Sequence, residues 1–126
     1  MQVYGQSKLA NILFTYELSR RLDGSGVTVN CLHPGAVATR LGHNNGALAR
    51  FLTVALKPFF RTPAQGAETA IWLASAPEVD GVTGQYFVRR TAQRSAASTY
   101  DEAIARRLWD VSLRLTGLEG AAGATA

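Results

Sequence analysis

The spacing of apolar residues predicts that the chain begins with a helix and continues into a strand. In residues 4–22, apolar side chains recur at i, i+3, i+4 and i+7, which places them on one helix face. They are Leu9, Ile12, Leu13 and Tyr16. Residues 27–32 are rich in β-branched side chains and lead into Pro34-Gly35, as a strand leads into a turn. A helix followed at once by such a strand is typical of half of a parallel α/β unit.

The remaining pattern predicts three more helices and one more strand. A short helix is expected within residues 42–60, a second over 62–75 with Thr62 as its N-cap, and a last amphipathic helix over 98–115. The second strand is expected at residues 85–88. About two strands and four helices predict an α/β fold that is incomplete as given, because two strands do not form a stable sheet alone.

Length and composition indicate one small domain. We expect this domain to cover residues 1–118 of the 126, followed by a disordered, Gly/Ala-rich tail at 119–126. The single cysteine cannot form an internal disulfide, which favours a reducing compartment, and we expect the cytoplasm. No apolar run approaches the roughly 20 residues needed to cross a bilayer. No membrane segment is therefore expected.

The basic residues do not form a nucleic-acid footprint. The chain has 13 Lys and Arg residues against 9 Asp and Glu residues, a net charge of +4. They are scattered in short groups, whereas nucleic-acid binding favours one concentrated basic stripe with interleaved aromatic residues. Neither His33 nor His43 has Cys, His or carboxylate residues at metal-ligand spacing. We therefore expect no nucleic-acid partner and no metal site.

Candidate chemistry begins at Tyr4 and Lys8. Four residues apart on a helix, these side chains share one face, with about 6 Å between their β-carbons. A phenol with a pKa of about 10 is a poor acid-base catalyst at neutral pH, and a neighbouring ammonium lowers such a pKa by stabilising the phenolate. An ammonium also has three donors for ribose hydroxyls. The pair suits proton transfer in a carbonyl/alcohol couple; the alternative is an exposed tyrosine and lysine with no catalytic role.

A second candidate region follows the predicted strand, at the Pro34-Gly35 turn. Ligands of open α/β sheets bind beyond the carboxyl ends of the strands, where this turn is expected. Gly35 would let the backbone approach a flat ring closely. Backbone groups near Val37 and the hydroxyl of Thr39 could then hold a carboxamide. An ordinary strand-to-helix turn explains the same residues, and both interpretations remain open at this point.

Together these segments resemble the short-chain dehydrogenase/reductase family, and more narrowly its retinol-dehydrogenase-like branch. The resemblance rests on four separated motifs in the family's order. They are Tyr-Gly-Gln-Ser-Lys-Leu-Ala-Asn at 4–11, Gly-Val-Thr-Val-Asn-Cys-Leu-His-Pro-Gly-Ala-Val-Ala-Thr at 26–39, Gly-Gln-Tyr-Phe at 84–87 and Arg-Leu-Trp-Asp-Val-Ser at 107–112. The resemblance covers residues 3–118. It corresponds to the carboxyl-terminal half of a Rossmann-like, doubly wound parallel sheet.

The resemblance implies an NAD(P)-dependent oxidoreductase that interconverts an alcohol and a carbonyl, with NADP slightly favoured over NAD. Tyr4 would be the acid-base residue, and Lys8 would assist it and bind the nicotinamide ribose. Besides these two, the cofactor site would include Pro34, Gly35, Val37 and Thr39. The substrate would be a small, lipophilic, retinol-like alcohol or aldehyde. A neighbouring branch, the light-dependent protochlorophyllide reductases, is an alternative.

Part of the family pattern does not precede Tyr4 in these 126 residues. The Gly-x-x-x-Gly-x-Gly fingerprint, the Asn-Ala-Gly segment and the catalytic serine are not found, and the helix N-terminus that receives a pyrophosphate belongs to that part of the fold. A second hypothesis is therefore a truncated, catalytically inactive fragment that acts at most as an oligomerisation piece. Family members commonly associate through the helix at 4–22, so a homo-oligomer through that helix is a further expectation.

Overall fold

The computed structural model of the chain describes residues 2–35, 37 and 61–119. Within these residues there are three α-helices and three short strands. The helices are α1 (Gln2–Arg21), α2 (Pro63–Ser75) and α3 (Glu102–Thr116); the strands are β1 (Cys31–His33), β2 (Tyr86–Val88) and β3 (Thr91–Gln93). The strands form one sheet in the order β1-β2-β3. Short 3₁₀ helices lie at Pro77–Val79 and Ala97–Tyr100.

The predicted α/β class is confirmed, with differences in the number and limits of the elements. The helix expected within 42–60 and most of the tail expected at 119–126 lie outside the described residues. Strand β3 was not predicted, because its Thr-Ala-Gln sequence is exposed throughout and has no apolar alternation. The assignment of residues 1–118 to one domain stays a prediction.

Strand β1 starts later than its β-branched sequence predicts, because the preceding residues bond to side chains. The backbone N–H of Val29 donates to the Thr83 hydroxyl over 2.9 Å. The Asn30 amide donates to the Val82 carbonyl over 2.6 Å and accepts from the N–H of Gln85 over 3.0 Å. Together with one backbone bond, from the Gly84 N–H to the Val29 carbonyl over 2.8 Å, these side-chain bonds form an irregular ladder. Residues 27–30 thus lie beside residues 82–85 but are not part of the regular strand.

The described residues fall into two compact units. The first comprises residues up to Cys31, Asp80–Tyr86 and the residues from Ala92 onward; the second comprises Leu32–Val79 and Phe87–Thr91. Each unit is described by itself below.

In the first unit, α1 packs against α3. The rings of Phe14 and Trp109 stack with their centroids 5.4 Å apart, and the Arg21 guanidinium lies 4.6 Å from the Trp109 ring centroid. Leu13, on the predicted stripe, is buried, as is Ala105 of α3. Offset aromatic stacking and a cation over an aromatic face each add to the energy of apolar burial. A homo-oligomer through the helix at 4–22 stays a prediction.

Helix α3 begins at Glu102 rather than at residue 98 because Asp101 supplies the N-cap. The Asp101 carboxylate accepts the N–H of Ile104 over 3.0 Å, and this satisfies one of the free donors of the first turn. Gly117 ends the helix in the left-handed conformation. The Tyr16 hydroxyl of α1 bonds to the Ser95 hydroxyl over 2.7 Å, and Ser95 in turn bonds to Thr99 of the preceding 3₁₀ helix over 2.6 Å. Burial raises the pKa of Tyr16 to about 12.

Glu17 is a buried charge on α1 that the apolar pattern did not predict. Its side chain accepts from Arg20 Nη2 over 2.8 Å and from Arg21 Nε over 2.7 Å. Burial opposes ionisation of the carboxyl, but these two hydrogen bonds outweigh it and lower the pKa of Glu17 below its usual 4.5. Arg21 also lies over the Trp109 ring, so the same side chain takes part in the ion pair and in the packing of α1 on α3.

In the second unit, α2 starts at its predicted N-cap. The Thr62 hydroxyl accepts the N–H of Gln65 over 3.2 Å, and the Gln65 side chain accepts the N–H of Thr62 over 3.0 Å. This reciprocal capping box satisfies two otherwise free donors. Farther along, Trp72 of α2 meets Phe87 edge to face, with ring centroids 5.7 Å apart.

The turn between β2 and β3 holds two arginines in a conformation that glycine prefers. Arg89 has a φ of 51° and Arg90 a φ of 63°. A two-residue hairpin turn with positive φ at both positions is a type I′ turn, for which Asn-Gly is the favoured sequence. The left-handed region costs a residue with a Cβ about 1–2 kcal/mol. The exposed Arg90–Glu68 contact of 3.6 Å offsets little of this cost.

We predict that Arg89→Asn raises the free energy of unfolding by about 0.5–1 kcal/mol, because asparagine tolerates positive φ. The measurement is equilibrium urea unfolding. Arg89→Ala is the matched control, since it removes the same charge but keeps the strain, and no gain is expected from it. An equal gain from both variants would contradict the backbone explanation.

We predict that Glu17→Gln lowers the free energy of unfolding at pH 7 by about 1–3 kcal/mol, because hydrogen bonds to a buried charge are lost. Since folding lowers the pKa of Glu17, its contribution is complete above pH 4.5 and is lost as the pH falls through the folded-state pKa. The difference between variant and wild type should therefore shrink below that pH in a series of unfolding curves.

Glu102→Gln is the control for this series. Its contact with Arg106, at 3.1 Å, is exposed on both sides, and exposed pairs contribute about 0–1 kcal/mol. Equal losses from the two variants at pH 7 would show that burial does not distinguish Glu17.

Candidate functional site

The first turns of α1 bring Tyr4 and Lys8 together. Both residues are exposed, and Tyr4 keeps 58% of its surface open to solvent. The Lys8 Nζ atom lies over the Tyr4 ring, 5.2 Å from its centroid. This is the shared helix face that their spacing predicts. An ammonium at this position makes a cation–π contact with the phenol ring.

Ser7, which lies between them in sequence, bonds to the helix itself. Its hydroxyl donates to the backbone carbonyl of Tyr4 over 2.8 Å. The Ser7 hydroxyl proton is thus used within the helix, and the Tyr4 phenol and the Lys8 ammonium remain exposed. Together they supply a group that can donate or accept a proton and a cation with several hydrogen-bond donors.

The Pro34-Gly35 turn belongs to the second unit and is fixed from two sides. Gly35 has a φ of +83°, in the region that residues with a Cβ rarely adopt. The Gly35 N–H donates to Nδ1 of His33 over 2.8 Å. The Pro34 carbonyl accepts from Nη1 of Arg61 over 3.3 Å. Both polar groups of the peptide that joins Pro34 to Gly35 are therefore engaged.

Val37 lies next to the start of α2. It forms an isolated parallel bridge with Arg61, and its side chain contacts the backbone of Gly66. Thr39, the remaining residue of the predicted site, lies outside the described residues. The structure thus brings Pro34, Gly35 and Val37 together around Arg61 and pairs Tyr4 with Lys8. These two groups lie in different units, and their assignment as site residues stays a prediction.

Sequence reasoning missed the contacts of Arg61 and of His33. Arg61 reaches a carbonyl 27 positions earlier, and no local periodicity connects residues so far apart. The contact of His33 could have been found, because a side chain two residues before a turn glycine is within reach of its N–H. The single signal for Arg61 is that it directly precedes the N-cap of α2.

Taken by itself, the chemistry of each group fits one part of a nicotinamide dinucleotide. An exposed phenol beside an ammonium matches the need for proton transfer and ribose binding, and a positive-φ glycine permits close approach of a flat ring. Burial raises the pKa of the Cys31 thiol, which disfavours the nucleophilic thiolate. Among the described residues, no three His, Cys, Asp or Glu side chains gather into a group that could hold a metal.

Comparison with known proteins agrees with this chemistry. The sequence profile of the family described as "Enoyl-(Acyl carrier protein) reductase" matches residues 1–89. The chain is 49% identical to human retinol dehydrogenase 14 over 118 residues, which cover 91% of the chain and 35% of that protein. It is 48% identical to human retinol dehydrogenase 13 over 121 residues, covering 92% and 37%. It is 43% identical to the polyprenol dehydrogenase of Danio rerio over 122 residues, again covering 92% and 37%.

Fold and sequence similarity indicate an α/β family of oxidoreductases. The chain belongs to the short-chain dehydrogenase/reductase family and is a retinol-dehydrogenase-like member of it. It spans about a third of the length of the curated relatives that it matches. None of the described helices is both long and apolar enough to cross a bilayer.

Proposed function

We propose that the protein carrying this chain is an NAD(P)-dependent oxidoreductase that interconverts a lipophilic alcohol and its carbonyl compound. The observation that carries the proposal is the pairing of Tyr4 with Lys8 on an exposed helix face, 5.2 Å from ring centroid to Nζ. Membership in an oxidoreductase family supports it independently.

Tyr4 is assigned the proton transfer. In the reducing direction its hydroxyl donates a proton to the carbonyl oxygen of the substrate, and in the oxidising direction its phenolate accepts the proton of the alcohol. Lys8 stabilises the phenolate by its charge and has donors left for ribose hydroxyls. A positioned acid-base group of this kind contributes about 10²- to 10⁴-fold to rate.

The Pro34-Gly35 turn is assigned the nicotinamide end of the cofactor. Gly35 would let the backbone approach the ring, and backbone groups near Val37, with the hydroxyl of Thr39, would hold the carboxamide. When bound there, a nicotinamide would supply the hydride to the substrate carbon or take it up. NADP is the cofactor that the family resemblance favours, with NAD as the alternative.

A long apolar alcohol or aldehyde is the proposed substrate class. The support is the similarity to proteins named retinol dehydrogenase and polyprenol dehydrogenase, since retinol and polyprenols are both extended isoprenoid alcohols. Protonation at oxygen by Tyr4 sets no requirement on the rest of the molecule. Substrate selection therefore depends on residues other than the Tyr4–Lys8 pair.

We predict that Tyr4→Phe in the complete gene product lowers kcat at least about 10²-fold, because the proton donor is lost while the ring remains. The measurement is the oxidation of NADPH, and separately of NADH, with all-trans-retinal as the probe substrate. Lys8→Met should lower kcat and weaken dinucleotide binding as well, since it removes both the cation and the ribose donors.

Tyr100→Phe is the control for this experiment. Tyr100 is also exposed, but it lies at the end of the 3₁₀ helix before α3, and its hydroxyl accepts the backbone N–H of Ser95. Removing this hydroxyl should leave kcat within about twofold of wild type and lower the free energy of unfolding only slightly. Wild-type turnover in Tyr4→Phe would refute the role given to Tyr4.

A further inference from the structure

We infer that Arg61 and Gly66 are positioning residues that hold the Pro34-Gly35 turn in the conformation that receives the nicotinamide. The two are called the turn clamp below. The inference rests on the proposed function, because the turn needs a fixed conformation for this purpose only if it lines a dinucleotide site. Neither residue is placed in direct contact with the cofactor.

The first part of the clamp acts on one peptide plane. The peptide between Pro34 and Gly35 has its carbonyl bonded to Arg61 Nη1, 3.3 Å away, and its N–H bonded to His33 Nδ1, 2.8 Å away. Rotation of this peptide would exchange the positions of donor and acceptor and break both bonds. The conformation in which the turn would face a bound nicotinamide therefore depends on the Arg61 contact.

The stem of Arg61 also covers Gly35. A Cβ built on Gly35 would lie 3.0 Å from Arg61 Cδ, closer than ordinary packing allows. The stem thus occupies the side on which any other residue would project its side chain. With a φ of +83°, Gly35 alone has wide backbone freedom, and the overlying stem restricts it.

Arg61 is itself held in place. Its Nη2 atom lies 3.4 Å from Oε2 of Glu68 on α2, and Arg90 approaches the same oxygen to 3.6 Å. The planar guanidinium therefore spans Pro34 on one side and Glu68 on the other, and its backbone pairs with Val37. A lysine carries its three donors on a single nitrogen and does not offer two separate donor nitrogens in one rigid plane.

Gly66 is the second part of the clamp. It is buried in the first turns of α2, where glycine weakens a helix relative to alanine. A Cβ at this position would lie 2.6 Å from Cγ2 of Val37, a distance that real Cβ contacts do not show, and 3.2 Å from its Cγ1. Helix α2 can approach Val37 this closely only because Gly66 has no side chain.

Arg61→Met tests the first part, since methionine keeps an apolar stem and removes the donors. We expect the Kd for NADPH, measured by fluorescence titration of the complete gene product, to rise roughly 5- to 10-fold. We expect exchange of the Gly35 amide proton, followed by NMR without cofactor, to accelerate by roughly the same factor. Arg61→Lys should fall between Met and wild type in both measurements.

Arg107→Met is the charge-matched control, because Arg107 is an exposed residue of α3 in the first unit. It should leave both measurements unchanged. Weaker NADPH binding by Arg61→Met with unaltered Gly35 exchange would indicate a simple charge effect and overturn the inference. Unaltered binding and exchange would overturn it as well.

Gly66→Ala tests the second part through a double-mutant cycle with Val37→Ala. The single Gly66→Ala variant should raise the Kd for NADPH roughly tenfold, because Val37 and the adjoining turn must move. In the double variant the nearest remaining atom is the Cβ of residue 37, at 3.5 Å, which is ordinary contact. We therefore expect the double variant to return to within about twofold of wild type.

A double variant that binds NADPH as weakly as Gly66→Ala would overturn this part. Thermal unfolding of each variant separates loss of fold from displacement of the turn. If the wild type binds neither NADPH nor NADH, the proposed function fails and the inference fails with it. If the wild type binds and the clamp variants bind equally well, the inference alone fails.

Discussion

The packing of α1 on α3 is the interaction on which the position of the exposed Tyr4–Lys8 pair depends. Tyr4 and Lys8 lie at one end of a 20-residue helix, and the other end is anchored by the Phe14–Trp109 stack. Arg21 lies over the same indole and also pairs with the buried Glu17. Terminal helix turns fray unless tertiary contacts hold the helix, so this anchor gives an exposed pair a defined position. The buried part of the helix contributes to stability, and the exposed first turns present Tyr4 and Lys8 to solvent.

In the second unit, the backbone of the Pro34-Gly35 turn is fixed in a different way. Tyr4 and Lys8 are oriented by the helix that contains them, whereas the Pro34-Gly35 turn has no regular structure of its own to orient it. Its conformation depends on side chains that reach it, His33 locally and Arg61 from 27 positions away. Glu68 and the closely packed Gly66 extend this support into α2. A flexible glycine turn thus gains a fixed conformation from a capped helix.

The fold was predictable where local signals are strong. Thr62 and the proline after it marked the start of α2 because a capping box is encoded within four residues. Strand β3 could not be predicted, since its polar residues pair only because the preceding turn reverses the chain. The turn could not be predicted from the sequence either, because arginines such as Arg89 and Arg90 do not indicate a positive φ. Glu17 gave no sign of burial, which depends on two arginines and on packing against α3.

The sequence by itself determined the family and the pairing of Tyr4 with Lys8. Residues four apart must share a helix face, and ordered motifs identify relatives without any coordinates. Only the tertiary structure decided that Arg61 donates a hydrogen bond to the Pro34 carbonyl and that Val37 packs closely against Gly66, which has no side chain. These contacts join residues about 30 positions apart. Their existence depends on how one helix approaches one turn, and no local period of 2.0 or 3.6 residues carries that information.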